Sequence, residues 1–76
     1  MTPDHTLDAR GLWGPLPVLK LRKRLKSLST GEVVAMQADD PAAIVDVPHF
    51  CAESGHALIS TEESDGVQTY CIRKSG

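Results

Sequence analysis

Two thiols and three imidazoles have the greatest chemical reach of any groups in this chain. Cys51 follows Phe50 in a helix-like segment, and Cys71 sits between Tyr70 and Ile72 in a strand-like one. In such apolar company cysteine acts as a small buried hydrophobe. Neither thiol occupies a helix start, the setting that lowers a thiol pKa and exposes the thiolate. His49, Glu53 and His56 fall at i, i+4 and i+7, which on one helix face would approximate a metal site. Gly55 ends that helix before His56, so neither a metal nor a bound cofactor is expected.

The stretch Leu12-Trp13-Gly14-Pro15-Leu16-Pro17 is organised differently. Gly14 stands where a helix cap belongs, and Pro15 fills the first helical turn, where a missing N–H does no harm. Downstream, Lys20, Arg22, Lys23, Arg24 and Lys26 put a run of cations on one segment. They can be the solvated side of an amphipathic helix, with positive charge toward its C-terminal half. Equally, they can be a docking surface for an acidic partner, with Trp13 at its edge. As a phosphate-binding face they fit poorly, because the chain is acidic overall, at −2, and carries a single Trp. Direct nucleic-acid binding is therefore not expected.

These residues need elements to hold them. His5 to Ala9 alternates polar and apolar positions as a short half-buried strand would, before Arg10-Gly11 breaks it. From Pro15 to Leu28, the residues Val18, Leu21, Leu25 and Leu28 recur as one stripe of a helix. Leu16 and Leu19 should widen that stripe, and the basic residues take the remaining face. A turn at Thr30-Gly31 precedes the nearly all-apolar run Val33 to Ala38, which reads as a central strand. Asp39 or Asp40 should cap a second helix that Pro41 opens and Gly55 stops. Within it, Pro48 predicts a kink or a fresh start at Asp46. Two strand-like runs, His56 to Glu63 and Val67 to Lys74, flank Asp65-Gly66, a strong tight-hairpin signal. The order is βαβαββ, and layer packing puts both helices on one face of a single sheet.

At 76 residues and 41% hydrophobic, the chain has room for a single small domain, residues 1–76, with a modest aliphatic core. Its charge is divided unevenly. Residues 1–30 set six cations against Asp4 and Asp8, while residues 31–76 set Arg73 and Lys74 against eight carboxylates. The N-terminus is polar, and no apolar run is long enough to span a bilayer. A cytoplasmic location is expected, and with it two reduced thiols rather than a disulfide.

Three segments, "LDARGLWGPLPVLKLRK", "ADDPAAIVDVPHFC" and "SDG" with "YCIRK", together resemble the TusA/SirA-type sulfur carriers across Leu7 to Lys74. That family's mark is Cys-Pro-x-Pro at the start of the first helix; here Gly14-Pro15-Leu16-Pro17 occupies those places. The resemblance implies an α/β two-layer sandwich with a mixed four-stranded sheet. It also implies that the motif cysteine takes persulfide sulfur from a cysteine desulfurase or rhodanese-like donor and hands it to a downstream acceptor protein. Thiolation of the tRNA wobble uridine is one end use; sulfur oxidation and cofactor assembly are others.

A thiol at that helix start would meet the positive end of the helix dipole, and its pKa would fall below the free value of about 8.5. Pro15 and Pro17 would stiffen the corner that carries it. Glycine has no atom beyond Cα to receive sulfur, so this chain cannot perform the transfer at position 14. Two functions of different kinds follow. The chain is either a persulfide relay protein inactive for transfer, or a non-catalytic adaptor or regulatory domain that keeps the carrier's docking surface. In both cases Trp13, Lys20, Arg22, Lys23, Arg24 and Lys26 are the expected partner contacts.

Overall fold

The alternating and helical periods resolve into β1 (His5–Asp8), α1 (Leu16–Lys26), β2 (Val33–Ala38), α2 (Ala43–Ser54), β3 (Ala57–Ser64) and β4 (Val67–Arg73). The structure is a computed structural model and describes residues 2–76. The sheet runs β1-β2-β4-β3. β1 and β2 are parallel, and β4 is antiparallel to both of its neighbours. The mixed sheet and the βαβαββ order agree with the sequence reading.

Alternation along the strands separates the two faces. Leu7, Val34, Met36, Tyr70 and Ile72 are buried together with Leu21, Leu25, Val47, Phe50 and Cys51 from the helices. Both helices therefore pack on one face, and that interface is the core. Removing a side chain such as Leu21, which has no solvent exposure, would cost about 2–5 kcal/mol. The opposite face carries Thr6, Ala35, Ser60 and Cys71 in register, small residues that no helix covers.

Asp65 (φ 52) and Gly66 (φ 80) both take left-handed backbone between the paired residues Ser64 and Val67. That is the tight turn whose twist matches the flanking strands, as Asp-Gly predicts. A bulge between Leu58 and Ser60, which the pattern did not announce, bends β3.

Several expectations need correction. Leu16 and Leu19 do not widen the core stripe; both are about half exposed. They lie five and two residues before Leu21, and at about 3.6 residues per turn both fall on the far side of the helix from it. α1 also ends at Lys26 rather than Leu28, with Ser27 as its cap, although Leu28 still packs into the core. Pro48 does not restart α2 at Asp46; the helix is assigned without a break from Ala43 to Ser54. Val47, Phe50 and Cys51 bury its inner face, and that packing offsets the loss of one main-chain bond. Asp46 accordingly lies within the first turn and caps nothing. Cys71 is half-buried on the uncovered sheet face, whereas Cys51 is buried in the core.

Candidate functional site

Both helices start at the same end of the sheet. β1 and β2 are parallel, β2 and β3 share a direction through β4, and each helix returns against the strand it follows. The segments after β1 and β2 therefore emerge side by side, and Ala9 N–H still donates to Gln37 O at 2.8 Å as they leave the sheet.

These two segments are tied together by carboxylates. Gly11 N–H donates to Asp39 Oδ1 at 2.9 Å, and Gly14 N–H donates to Asp40 Oδ2 at 2.6 Å. The other oxygen of Asp40 accepts from Ala42 N–H at 3.2 Å. The sequence offered Asp39 or Asp40 as the cap of α2 and Pro41 as its first residue; the helix instead begins at Ala43 with Ala42 at the cap position and no side-chain cap bond, and Asp40 serves the turn just before it. The larger role of Asp39 and Asp40, holding the approach to α1, depends on proximity that only the fold creates.

Support reaches this corner from the core. Tyr70 Oη donates to Gln68 Oε1 at 2.7 Å, and Gln68 Nε2 donates to Asp40 O at 3.3 Å. Gln68 is 3% exposed, a buried amide whose bonds link the central sheet to the loop. Neither residue was singled out from sequence. The signal was present, because Gln68 shares the inward-facing phase of Tyr70 and Ile72 in β4, where a polar residue needs a bonded partner.

Gly14 sits one residue outside the helix, not at its cap. Pro15 holds the cap position with helical backbone, and Gly14 has φ +61. A Cβ added at Gly14 would meet nothing within 4 Å, so the restriction there is backbone strain rather than space. Leu16 N–H donates to Trp13 O and Leu19 N–H to Pro15 O. Pro15 and Pro17 have no N–H, so at most Val18 offers a free donor in the first turn. The expected array of free N–H groups is thus much reduced, and Asp40 adds negative charge beside position 14. The helix dipole remains the favourable influence on an anion there. Pro15 is exposed, as expected for the corner, while Pro17 is fully buried and acts as packing.

The cations divide into two groups. Lys20 Nζ donates to Asp8 O, and an Arg24 guanidinium N–H donates to Thr6 O at 3.3 Å, so both cover the outer edge of β1. Arg22, Lys23 and Lys26 are exposed, and among the described residues none has an acidic partner within salt-bridge distance. Nearer the corner the surface is apolar. Trp13 is 77% exposed and Val45 is 70% exposed, and Leu16, Leu19 and Ile44 accompany them in the opening turns of the helices. Sequence reasoning named Trp13 but missed the other four.

The remaining candidates disperse. His49 Nε2 and Glu53 Oε1 form a 2.6 Å pair on the exposed side of α2. His56 turns toward the chain end, where its Nδ1 accepts from Ser75 N–H at 3.0 Å. Burial pushes the Cys51 thiol pKa up, which disfavours the thiolate. Among the described residues no cluster of His, Cys, Asp and Glu could hold a metal ion, and no helix is long and apolar enough to cross a membrane.

The sequence profile of the family Sulfurtransferase TusA matches residues 5–74. The chain belongs to the TusA family. A crystal structure of a SirA-like protein from Desulfitobacterium hafniense is similar to it, with a TM-score of 0.82 at 27% identity, covering 95% of this chain and 99% of the other. The TusA match spans both segments of the corner, from Gly11 through Pro41, and all six elements. It makes this chain a sulfur-carrier-type domain, with sulfur donor and acceptor proteins as its class of partner.

Proposed function

We propose that this TusA-family chain is a persulfide relay protein, inactive for transfer as it stands, that still docks the relay's partners. The observation that carries the reading is Gly14: an exposed, well-anchored corner at the start of α1 presents a residue without a side chain where the family resemblance places the carrier cysteine. With a thiol there, the thiolate would attack the terminal sulfur of a donor persulfide. One S–S bond would form as the donor's S–S bond broke, and the donor cysteine would leave as thiolate, with no net redox change. Glycine removes the attacking atom and leaves the fold in place.

The partners in this reading are a cysteine desulfurase or rhodanese-like donor and a downstream acceptor, in tRNA wobble-uridine thiolation or another sulfur path in the cytoplasm. Trp13, Arg22, Lys23 and Lys26 form the contact surface; Lys20 and Arg24 border it while covering β1. A second reading, an adaptor or regulator that occupies a carrier's docking site, draws support from φ +61 at Gly14, a backbone suited to glycine rather than cysteine.

Incubation with a cysteine desulfurase and cysteine tests the proposal. The chain should gain no sulfur by intact-mass measurement, and Gly14→Cys should gain one sulfur atom. Persulfide on Cys51 or Cys71 of the unaltered chain, or no loading of a folded Gly14→Cys, would place the chemistry elsewhere. If Gly14→Cys binds the donor but loads poorly, the adaptor reading gains.

A further inference from the structure

We propose that the apolar corner around Trp13 seats a partner segment in which an apolar side chain stands next to an arginine or lysine. This deepens the docking reading above and rests on it. An indole 77% exposed, with Leu16, Leu19, Ile44 and Val45 also exposed in the opening turns of the two helices, is more exposed apolar surface than the core needs and marks a contact surface. Beside the indole, Gly11, Trp13, Asp39, Asp40 and Pro41 line a cavity of about 310 Å³.

The charges around that cavity specify the occupant. Asp39 uses Oδ1 for Gly11 N–H, and Asp40 uses its two oxygens for Gly14 and Ala42 N–H. Among the described residues neither carboxylate has a cation within salt-bridge distance; Arg10 is held on Asp8 by bonds of 2.9 and 3.1 Å and acts on Asp39 only through its charge. An aromatic face bordered by two such carboxylates complements a cation, and a guanidinium can stack on the ring while donating to an oxygen. An acidic segment would be repelled here and drawn instead to Arg22, Lys23 and Lys26 farther along α1. The apolar surface on Leu16 and Leu19 extends beyond the cavity, so the occupant is a stretch of protein rather than a lone cation. The two charge zones along α1 also give the docked partner a direction.

Titrating acetyl-Leu-Arg-amide into the isotope-labelled chain tests this by NMR. The Trp13 indole and the Gly11 and Gly14 amides should shift saturably. The same peptide with neutral citrulline should bind at least fivefold more weakly, as should the arginine peptide to Trp13→Ala or Asp39→Asn. Equal binding of the two peptides, shifts confined to the C-terminal half of α1, or no saturable shift would overturn the proposal. An unchanged affinity of Trp13→Ala for a cysteine desulfurase would also overturn it, and would leave the docking reading to Arg22, Lys23 and Lys26 alone.

Discussion

α1 and α2 start side by side, yet the chain before α1 supplies N–H groups and the chain before α2 supplies the carboxylates that receive them. Residues 11–15 contain two glycines and a proline and no acceptor side chain, so no side chain of their own can receive their N–H groups. Residues 39–42 carry Asp39 and Asp40, and the main chain of Asp40 is in turn held by Gln68 from the sheet. The bare segment is the one to which the proposed function assigns the carrier position. The comparison teaches that the position of Gly14 is maintained from outside its own loop. A side chain at position 14 would therefore meet backbone strain at φ +61 rather than loss of the loop's anchorage.

The strongest way to break this arrangement is to remove the carboxylate that serves both helix starts. Asp40→Ala removes the acceptor for Gly14 and Ala42 N–H, and should lower unfolding stability in urea by about 2 kcal/mol, as expected for charge-assisted bonds in a partly buried site. Asp39→Ala removes one exposed bond and should cost about 0.5 kcal/mol. Equal effects would show that the loop before α1 does not depend on Asp40.

Substitution at Gly14 acts on the other partner. Gly14→Ala should cost about 1 kcal/mol through left-handed backbone alone, because a Cβ there meets nothing within 4 Å. Gly14→Asn should cost less, since Asn tolerates that region better. Thermal or urea unfolding of both variants gives the measurement; an Ala variant as stable as the parent would mean that the segment readily adopts another conformation.

The smallest expected effect separates the carboxylates by their partners. Asp8, unlike Asp39 and Asp40, is bonded to a guanidinium, and the hydrogen bond from Arg10 lowers its pKa from 3.8 to about 2. Because the folded-state value is depressed, this pair contributes stability above about pH 4 and loses it as pH falls through 2. Both groups are exposed, so the contribution to stability is slight. An NMR titration should show the Asp8 carboxyl moving up toward 3.8 in Arg10→Gln. An unmoved titration would mean that Arg10 is not its partner in solution.

Much of this architecture is legible in local pattern. Val33 to Ala38, Asp65-Gly66 and the Val18-Leu21-Leu25-Leu28 stripe each name their element, because periodicity and turn stereochemistry act over a few residues. The resemblance at Gly14-Pro15-Leu16-Pro17 also pointed to the corner on which the proposed function rests. Other features escaped the same reasoning for physical causes. Leu16 and Leu19 look like core residues in a count of apolar positions, and only their angle to the sheet leaves them in water. Pro48 reads as a helix breaker, yet burial of Val47, Phe50 and Cys51 outweighs one lost bond.

The sequence alone determines the order of elements, the missing side chain at position 14 and the division between a basic first helix and acidic later segments. These follow from residue type and spacing, which involve no distant partner. Tertiary structure decided that Asp40 reaches Gly14 across 26 positions of chain, that Gln68 and Tyr70 support it from within, and that Lys20 and Arg24 cover a strand edge while, among the described residues, Arg22, Lys23 and Lys26 have no acidic partner. Each is a contact between segments far apart in sequence, and it exists only because parallel β1 and β2 deliver their following loops to the same end of the sheet.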